Sequence, residues 1–115
     1  MAALKRTSDL VPLFSALADA TRMRLLNLMA DREVCVCFFV EILGQSQPKI
    51  SRHLAYLRNA SLVQSRREGK WMHYSIKPPT DEAAATIFQS VLENLRTSKQ
   101  MQVDRRKLDR ACCKP

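Results

Sequence analysis

Residues 44–76 read GQSQPKISRHLAYLRNASLVQSRREGKWMHYSI, and this run of turn, helix and hairpin decides the fold. Gly44 suits the end of a helix, where left-handed backbone is common. Ser46 reads as the N-cap of the next helix, and Pro48 is tolerated in its first turn. From there to about Asn59, Ile50, Leu54 and Leu57 recur at helical spacing and are expected to face inward. At about 100° per residue the opposite face carries Pro48, Lys49, Arg52, Ala55 and Tyr56, with Ser51 at its edge. Residues 62–67, LVQSRR, and 71–76, WMHYSI, are rich in strand formers, and Glu68-Gly69-Lys70 makes a short turn between them. The result is a hairpin whose tip carries Arg66, Arg67 and Lys70. Trp71 and Tyr74 are expected to pack it on the core.

Just upstream, FFVEIL at 38–43 is short but compatible with a helix ending at Gly44. Two helices meeting at Gly44-Gln45-Ser46, the second one basic, form a helix-turn-helix. A hairpin directly after the second helix is then a wing, placed to touch sugar-phosphate or a minor groove. The fold class that follows is mainly α with a β-hairpin wing, a winged helix-turn-helix. Lys49 and Arg52 can donate to guanine or phosphate, Gln47 and Ser51 add short polar contacts, and Ala55 permits close approach to a major groove. The plain alternative is a solvated helix face and ordinary hairpin charges. His53 lies toward the flank and is read as structural.

Charge supports the DNA reading. Lys and Arg number 19 against 11 Asp and Glu, giving +8 and a pI near 9.8. Such an excess favours a polyanion through counterion release. Its placement matters more: Lys49, Arg52, Arg58, Arg66, Arg67 and Lys70 face one acid, Glu68, across that stretch. No apolar run is long enough to span a bilayer, since Glu41 interrupts 34–43, and no signal-peptide pattern is present. The chain is expected to be cytoplasmic, with no membrane partner. At 115 residues it suits one domain with a thin core, of the size that often gains stability by dimerising. It lacks a CxxC motif, a phosphate-cradling loop and strand–helix alternation, which argues against an enzyme.

Upstream, DLVPLFSAL at 9–17 places Leu10, Leu13, Phe14 and Leu17 at helical spacing, with Pro12 in the first turn and a start near Asp9. Asp19 can cap a second helix through Ala30. Residues 34–37 can be extended or open a helix. A final helix from Asp81 carries Ala84, Phe88, Val91, Leu92 and Leu95 on a broad apolar face. Together with Leu10, Leu13 and Phe14, the positions Phe88, Val91, Leu92 and Leu95 are the candidates for a dimer surface, plain core being the alternative. Residues 1–96 form the DNA-binding and dimerisation domain. Residues 97–115 form a basic tail that either continues a helix or stays disordered until something ties it down.

Four cysteines fall in two close pairs, Cys35/Cys37 and Cys112/Cys113. A reducing compartment disfavours disulfides, so close pairs lean toward metal or redox chemistry. The first pair sits in EVCVCFFVEI, residues 33–42, where buried structural cysteine is the alternative. A Cys-x-Cys at the head of a helix offers two soft donors to one ligand, and the helix N-terminus is expected to lower their pKa.

The segments ALADATRMRLLNLM, VCVC, SQPKISRHLAYLRNASLV and RREGKWMHYSI together resemble the ArsR/SmtB family of winged-helix metalloregulatory repressors, over roughly residues 8–96. VCVC is similar to the ELCVCDL element of the family's arsenic-sensing branch. The resemblance implies a homodimer that binds double-stranded operator DNA and dissociates when As(III) or Sb(III), its inducer, binds Cys35 and Cys37. No constitutive cofactor is implied. Three departures stand out. Val40 replaces the third cysteine that branch often carries, Phe38 replaces its Asp, and residues 81–115 lack the histidine used by the zinc-sensing branch. The third arsenic ligand is then Cys112 or Cys113, solvent, a small anion, or an organic group already on the arsenic. Near-terminal vicinal pairs resembling Cys112-Cys113 take part in sensing in another group of arsenic regulators. Binding is expected to pull the two sulfurs together and distort the helix that precedes the reading helix. The rival signals are Cd, Pb, Zn or thiol oxidation.

Overall fold

The computed structural model describes residues 10–112, without the side chain of Cys112. The expected start near Asp9 lies outside them. Helix α1 (Val11–Leu17) carries Pro12 in its first turn, where a missing N–H costs nothing. Helix α2 (Ala20–Leu28) is capped by Asp19, whose Oδ1 accepts from Arg22 N at 3.0 Å. It ends two residues short of Ala30 because its last turn tightens: Ala30 N donates to Asn27 O three residues back.

The ambiguous stretch 34–37 does both things. Val34–Cys35 is a two-residue strand, β1, and Cys35 keeps extended backbone (φ −73°, ψ 143°) as the N-cap of α3 (Val36–Leu43). Gly44 closes α3 in the left-handed region, φ 67°. Ser46 caps α4 (Gln47–Asn59), accepting from Lys49 N, and buries Ile50, Leu54 and Leu57. Gln45 Nε2 donates to Thr21 Oγ1 at 3.1 Å and fastens the turn to α2. A Schellman-type stop ends α4: Leu62 N donates to Leu57 O at 3.0 Å, and Ser61 takes the left-handed position, φ 61°.

The hairpin is β2 (Val63–Glu68) and β3 (Trp71–Ile76). Glu68 pairs with Trp71, so the turn is Gly69-Lys70 alone, one residue tighter than the sequence implies. Gly69 at φ 61° occupies the first loop position, where two-residue hairpins demand positive φ. Strand β1 adds to the outer side of β3, giving the antiparallel order β1-β3-β2. Tyr74 packs on the core as expected, but Trp71 is 47% exposed. It opens β3 beside the turn, out of reach of the core, and Lys70 Nζ lies 5.4 Å from its ring centroid.

Helix α5 (Glu82–Leu95) is capped by Asp81, which accepts from Ala84 N at 2.9 Å, and buries Ala84, Phe88 and Leu92. The stretch read as a tail forms α6 (Lys99–Cys112), which returns to pack on α2 and α3 with Met101, Leu108 and Ala111 buried. Fully buried Asp104 receives Arg24 through Nε at 2.8 Å and Nη2 at 3.0 Å. Asn27 Nδ2 donates to Met101 O, and Arg105 donates to Asn27 O and Asp31. Arg32 and Asp109 add another ion pair. The sequence hides this docking because charged groups, rather than an apolar stripe, carry much of it. Residues 99–112 therefore share the core of the preceding helices.

Candidate functional site

Capping by Ser46 and inward packing of Ile50, Leu54 and Leu57 fix the rotation of α4. That rotation leaves Gln47, Pro48, Lys49 and Arg52 exposed, with Ser51 half-buried at the margin. Among the described residues no carboxylate lies within ion-pair distance of Lys49 or Arg52. Tyr56 is 45% exposed, with the Arg22 guanidinium 4.1 Å from its ring centroid. Arg22 also donates to Ala16 O at 2.8 Å and Ser15 O at 3.0 Å, closing the end of α1. Its Nη1 lies 3.4 Å from His53 Nδ1, so His53 faces the α1–α2 corner, as its flank position implies. Arg22 thus sets where the reading helix sits, a role with no motif to announce it.

The wing cations differ among themselves. Arg67 and Lys70 are exposed at the tip. Arg66 instead donates to Glu33, through Nε to both carboxylate oxygens and through Nη2 to Oε1 at 2.7 Å. That hydrogen bond, ahead of a partial desolvation that opposes it, holds the Glu33 carboxyl below its ordinary range. Arg66, expected to meet DNA, spends its fork on the chain itself.

Cys35 and Cys37 meet at the head of α3. Cys37 Sγ donates to Cys35 Sγ at 3.4 Å; Cys35 is buried and Cys37 opens to solvent. The sulfurs are already in contact, so a shared ligand need not draw them together; a distortion on binding has to come from replacing the Sγ–Sγ hydrogen bond with the ligand instead. The pKa expectation is corrected for Cys37. Partial burial first, then the hydrogen bond to Cys35 and charge repulsion from it, push its thiol up to about 11. The backbone N–H groups of Cys37 and Phe38 act in the opposite sense and are outweighed. Among the described residues no third His, Cys, Asp or Glu joins the pair. Val40, where a third cysteine would fall, is half-buried against the core.

Cys113 and the Cys112 side chain lie outside the described residues. The end of α6 that carries Cys112 borders a cleft of about 290 Å³ lined by Glu41, Ile42, Lys107, Arg110 and Ala111. Glu41 lies one helical turn beyond Cys37 on the same face of α3.

The seven dimer candidates divide. Leu13, Phe88 and Leu92 are covered by the chain itself, at 4%, 2% and 5% exposure, which removes them from the surface a partner meets. Leu10, Val91 and Leu95 are half-buried, and Phe14 is 51% exposed beside Val11 at 54%.

A capped basic helix after a tight glycine turn, followed at once by a hairpin wing, defines a winged helix-turn-helix DNA-binding protein. Residues 19–65 match the family described as "Bacterial regulatory protein, arsR family". The chain is 47% identical over 79 residues to the arsenical resistance operon repressor of Escherichia coli K12, covering 68% of each chain. Among solved structures it is similar to HlyU from Vibrio cholerae, with TM-score 0.69 and 29% identity over 81% of this chain and 94% of that one. It is also similar to the homodimeric winged helix-turn-helix domain of Mb0332 from Mycobacterium bovis, with TM-score 0.62 and 28% identity over 80% and 86%. The chain belongs to the ArsR/SmtB family and is a DNA-binding transcriptional repressor, not an enzyme. No helix among the described residues is long and apolar enough to cross a membrane.

Proposed function

We propose that the chain is an As(III)/Sb(III)-responsive repressor that binds operator DNA as a homodimer and dissociates when the metalloid binds Cys35 and Cys37. The observation that carries this reading is the sulfur pair itself. Two thiols 3.4 Å apart head the helix before the reading helix, and one of them belongs to the wing sheet. At a metal–sulfur bond of about 2.3 Å, this spacing subtends about 95° at a shared atom. That angle suits the pyramid of a trivalent atom with a lone pair better than a tetrahedral ion.

Neutral arsenous acid brings its own base. Each S–H proton leaves with one arsenic hydroxyl as water while an As–S bond forms, and no oxidation state changes. Two such condensations leave one As–OH. That position can stay a hydroxyl, carry an organic group, or take a thiol of Cys112 or Cys113. The approach of α6 to Glu41 and Ile42 supports a tail thiol of the same chain.

The test is fluorescence anisotropy of a labelled operator fragment, run with arsenite, phenylarsine oxide, cadmium and peroxide. Arsenite and phenylarsine oxide are expected to weaken binding about 5- to 150-fold, the usual span of allosteric coupling. Cys35→Ser/Cys37→Ser should bind DNA and ignore both. Release of that variant by arsenite would overturn the assignment. Loss of the arsenite response alone in Cys112→Ser/Cys113→Ser would assign the third ligand to the tail.

A further inference from the structure

Cys35 and the wing are parts of one sheet. Cys35 pairs with His73 of β3, and His73 pairs with Arg66 of β2, so the three stand in one row. Glu33, two residues before Cys35, reaches along the sheet to Arg66 and receives its fork at 2.7–3.0 Å. The wing's base is closed separately by Lys77 N donating to Leu62 O at 2.8 Å. The fork therefore ties the hairpin above its base to the segment that carries the thiols.

We propose that Glu33 and Arg66 are a positioning pair coupling the thiols to the wing, so that occupancy of Cys35 and Cys37 moves the wing as well as the reading helix. This rests on the inducer reading given above. Strand β1 has only two residues, so little ladder opposes a rotation of Cys35 about its backbone. Such a rotation carries Val34 and Glu33 with it. A carboxylate held by two guanidinium nitrogens transmits orientation as well as distance, which a single hydrogen bond does not. Arg66 is ideally placed to receive that motion and poorly placed to contact phosphate, because its charge is already met. The path is a contiguous set of named contacts, the kind of physical route by which coupling between sites is carried.

Trp71, the single tryptophan of the chain, stands 47% exposed at the wing turn and reports wing position directly. The experiment uses the full-length protein with arsenite, following arsenic–thiolate absorbance, Trp71 emission and operator anisotropy together. In the wild type, arsenite is expected to change Trp71 emission and weaken operator binding. Glu33→Gln should bind arsenite as the wild type does. Its arsenite-free operator affinity should stay within about threefold, the scale of an exposed ion pair. It should nevertheless lose the emission change and at least about fivefold of the arsenite-induced weakening. The swap Glu33→Arg/Arg66→Glu, which keeps a guanidinium fork, should restore the emission change. A Glu33→Gln protein that releases operator on arsenite as fully as the wild type overturns the coupling and leaves the repressor reading standing. A swap that stays silent overturns the pairing. A wild type that binds arsenite and keeps its operator overturns the repressor reading, and the coupling with it.

Discussion

Two arginine forks join distant stretches of this chain, and they differ in what water can reach. Arg24 meets Asp104 at 2.8 and 3.0 Å where the carboxylate side chain is fully buried. Arg66 meets Glu33 at similar distances, but the two side chains are 52% and 34% exposed. Breaking a buried pair strands a charge in a poor solvent, whereas breaking an exposed one hands both groups back to water. The inner fork should therefore set stability, by fixing α6 on α2. The outer fork should set position, by fixing the wing on β1.

The comparison breaks most visibly at Arg24. Arg24→Leu should cost about 3–5 kcal/mol in a denaturant titration, because Asp104 loses its charged partner and keeps only the Gln100 amide. Arg24→Leu/Asp104→Leu should recover most of that loss. Equal costs for the single and double variants would mean that packing, not charge, holds α6.

DNA binding sharpens the contrast within the wing and reading helix. Arg52→Gln should weaken operator binding by about 1–3 kcal/mol if its contact is bidentate to a base. Arg67→Gln should flatten the plot of log affinity against log salt by about 0.9, the slope of one phosphate contact. Arg66→Gln should flatten it clearly less, since Glu33 already neutralises that guanidinium. Equal slopes for Arg66→Gln and Arg67→Gln would place Arg66 on phosphate after all.

The smallest effect is on the acid side. Hydrogen bonding to Arg66 holds the Glu33 carboxyl below its usual 4.5. A carboxyl lowered by folding contributes stability above its unfolded pKa and loses it as pH falls through the folded value. The wing should thus stay clamped through pH 4.5 and loosen only below it, followed by Trp71 emission. Glu33→Gln should remove that step and lower the denaturant midpoint at neutral pH only slightly, as for an exposed ion pair.

Local signals made much of the fold legible. Ser46, Gly44, Asp19 and Asp81 cap or close helices where their side chains or backbone freedom demand it, and Ile50, Leu54 and Leu57 sit at one spacing. Cys35 and Cys37 could be singled out because they are close in sequence. What stayed hidden depends on contacts between distant residues. Strand β1 is two residues long, too short to show a period, and it exists because β3 offers an edge. Glu33 and Arg66 lie 33 positions apart, Arg24 and Asp104 80 apart. The thiol pKa also depends on contacts that sequence spacing does not display. The helix N-terminus was visible in the sequence, whereas the second sulfur at 3.4 Å and the partial burial that oppose it were not.

Reciprocity gives the most direct test of the link between thiols and DNA. If arsenite weakens operator binding by some factor, operator must weaken arsenite binding by the same factor. Arsenite affinity should be measured by sulfur-to-arsenic absorbance with and without a saturating operator duplex. Matching factors of about 5- to 150-fold are predicted. An arsenite affinity that operator leaves unchanged would contradict the account.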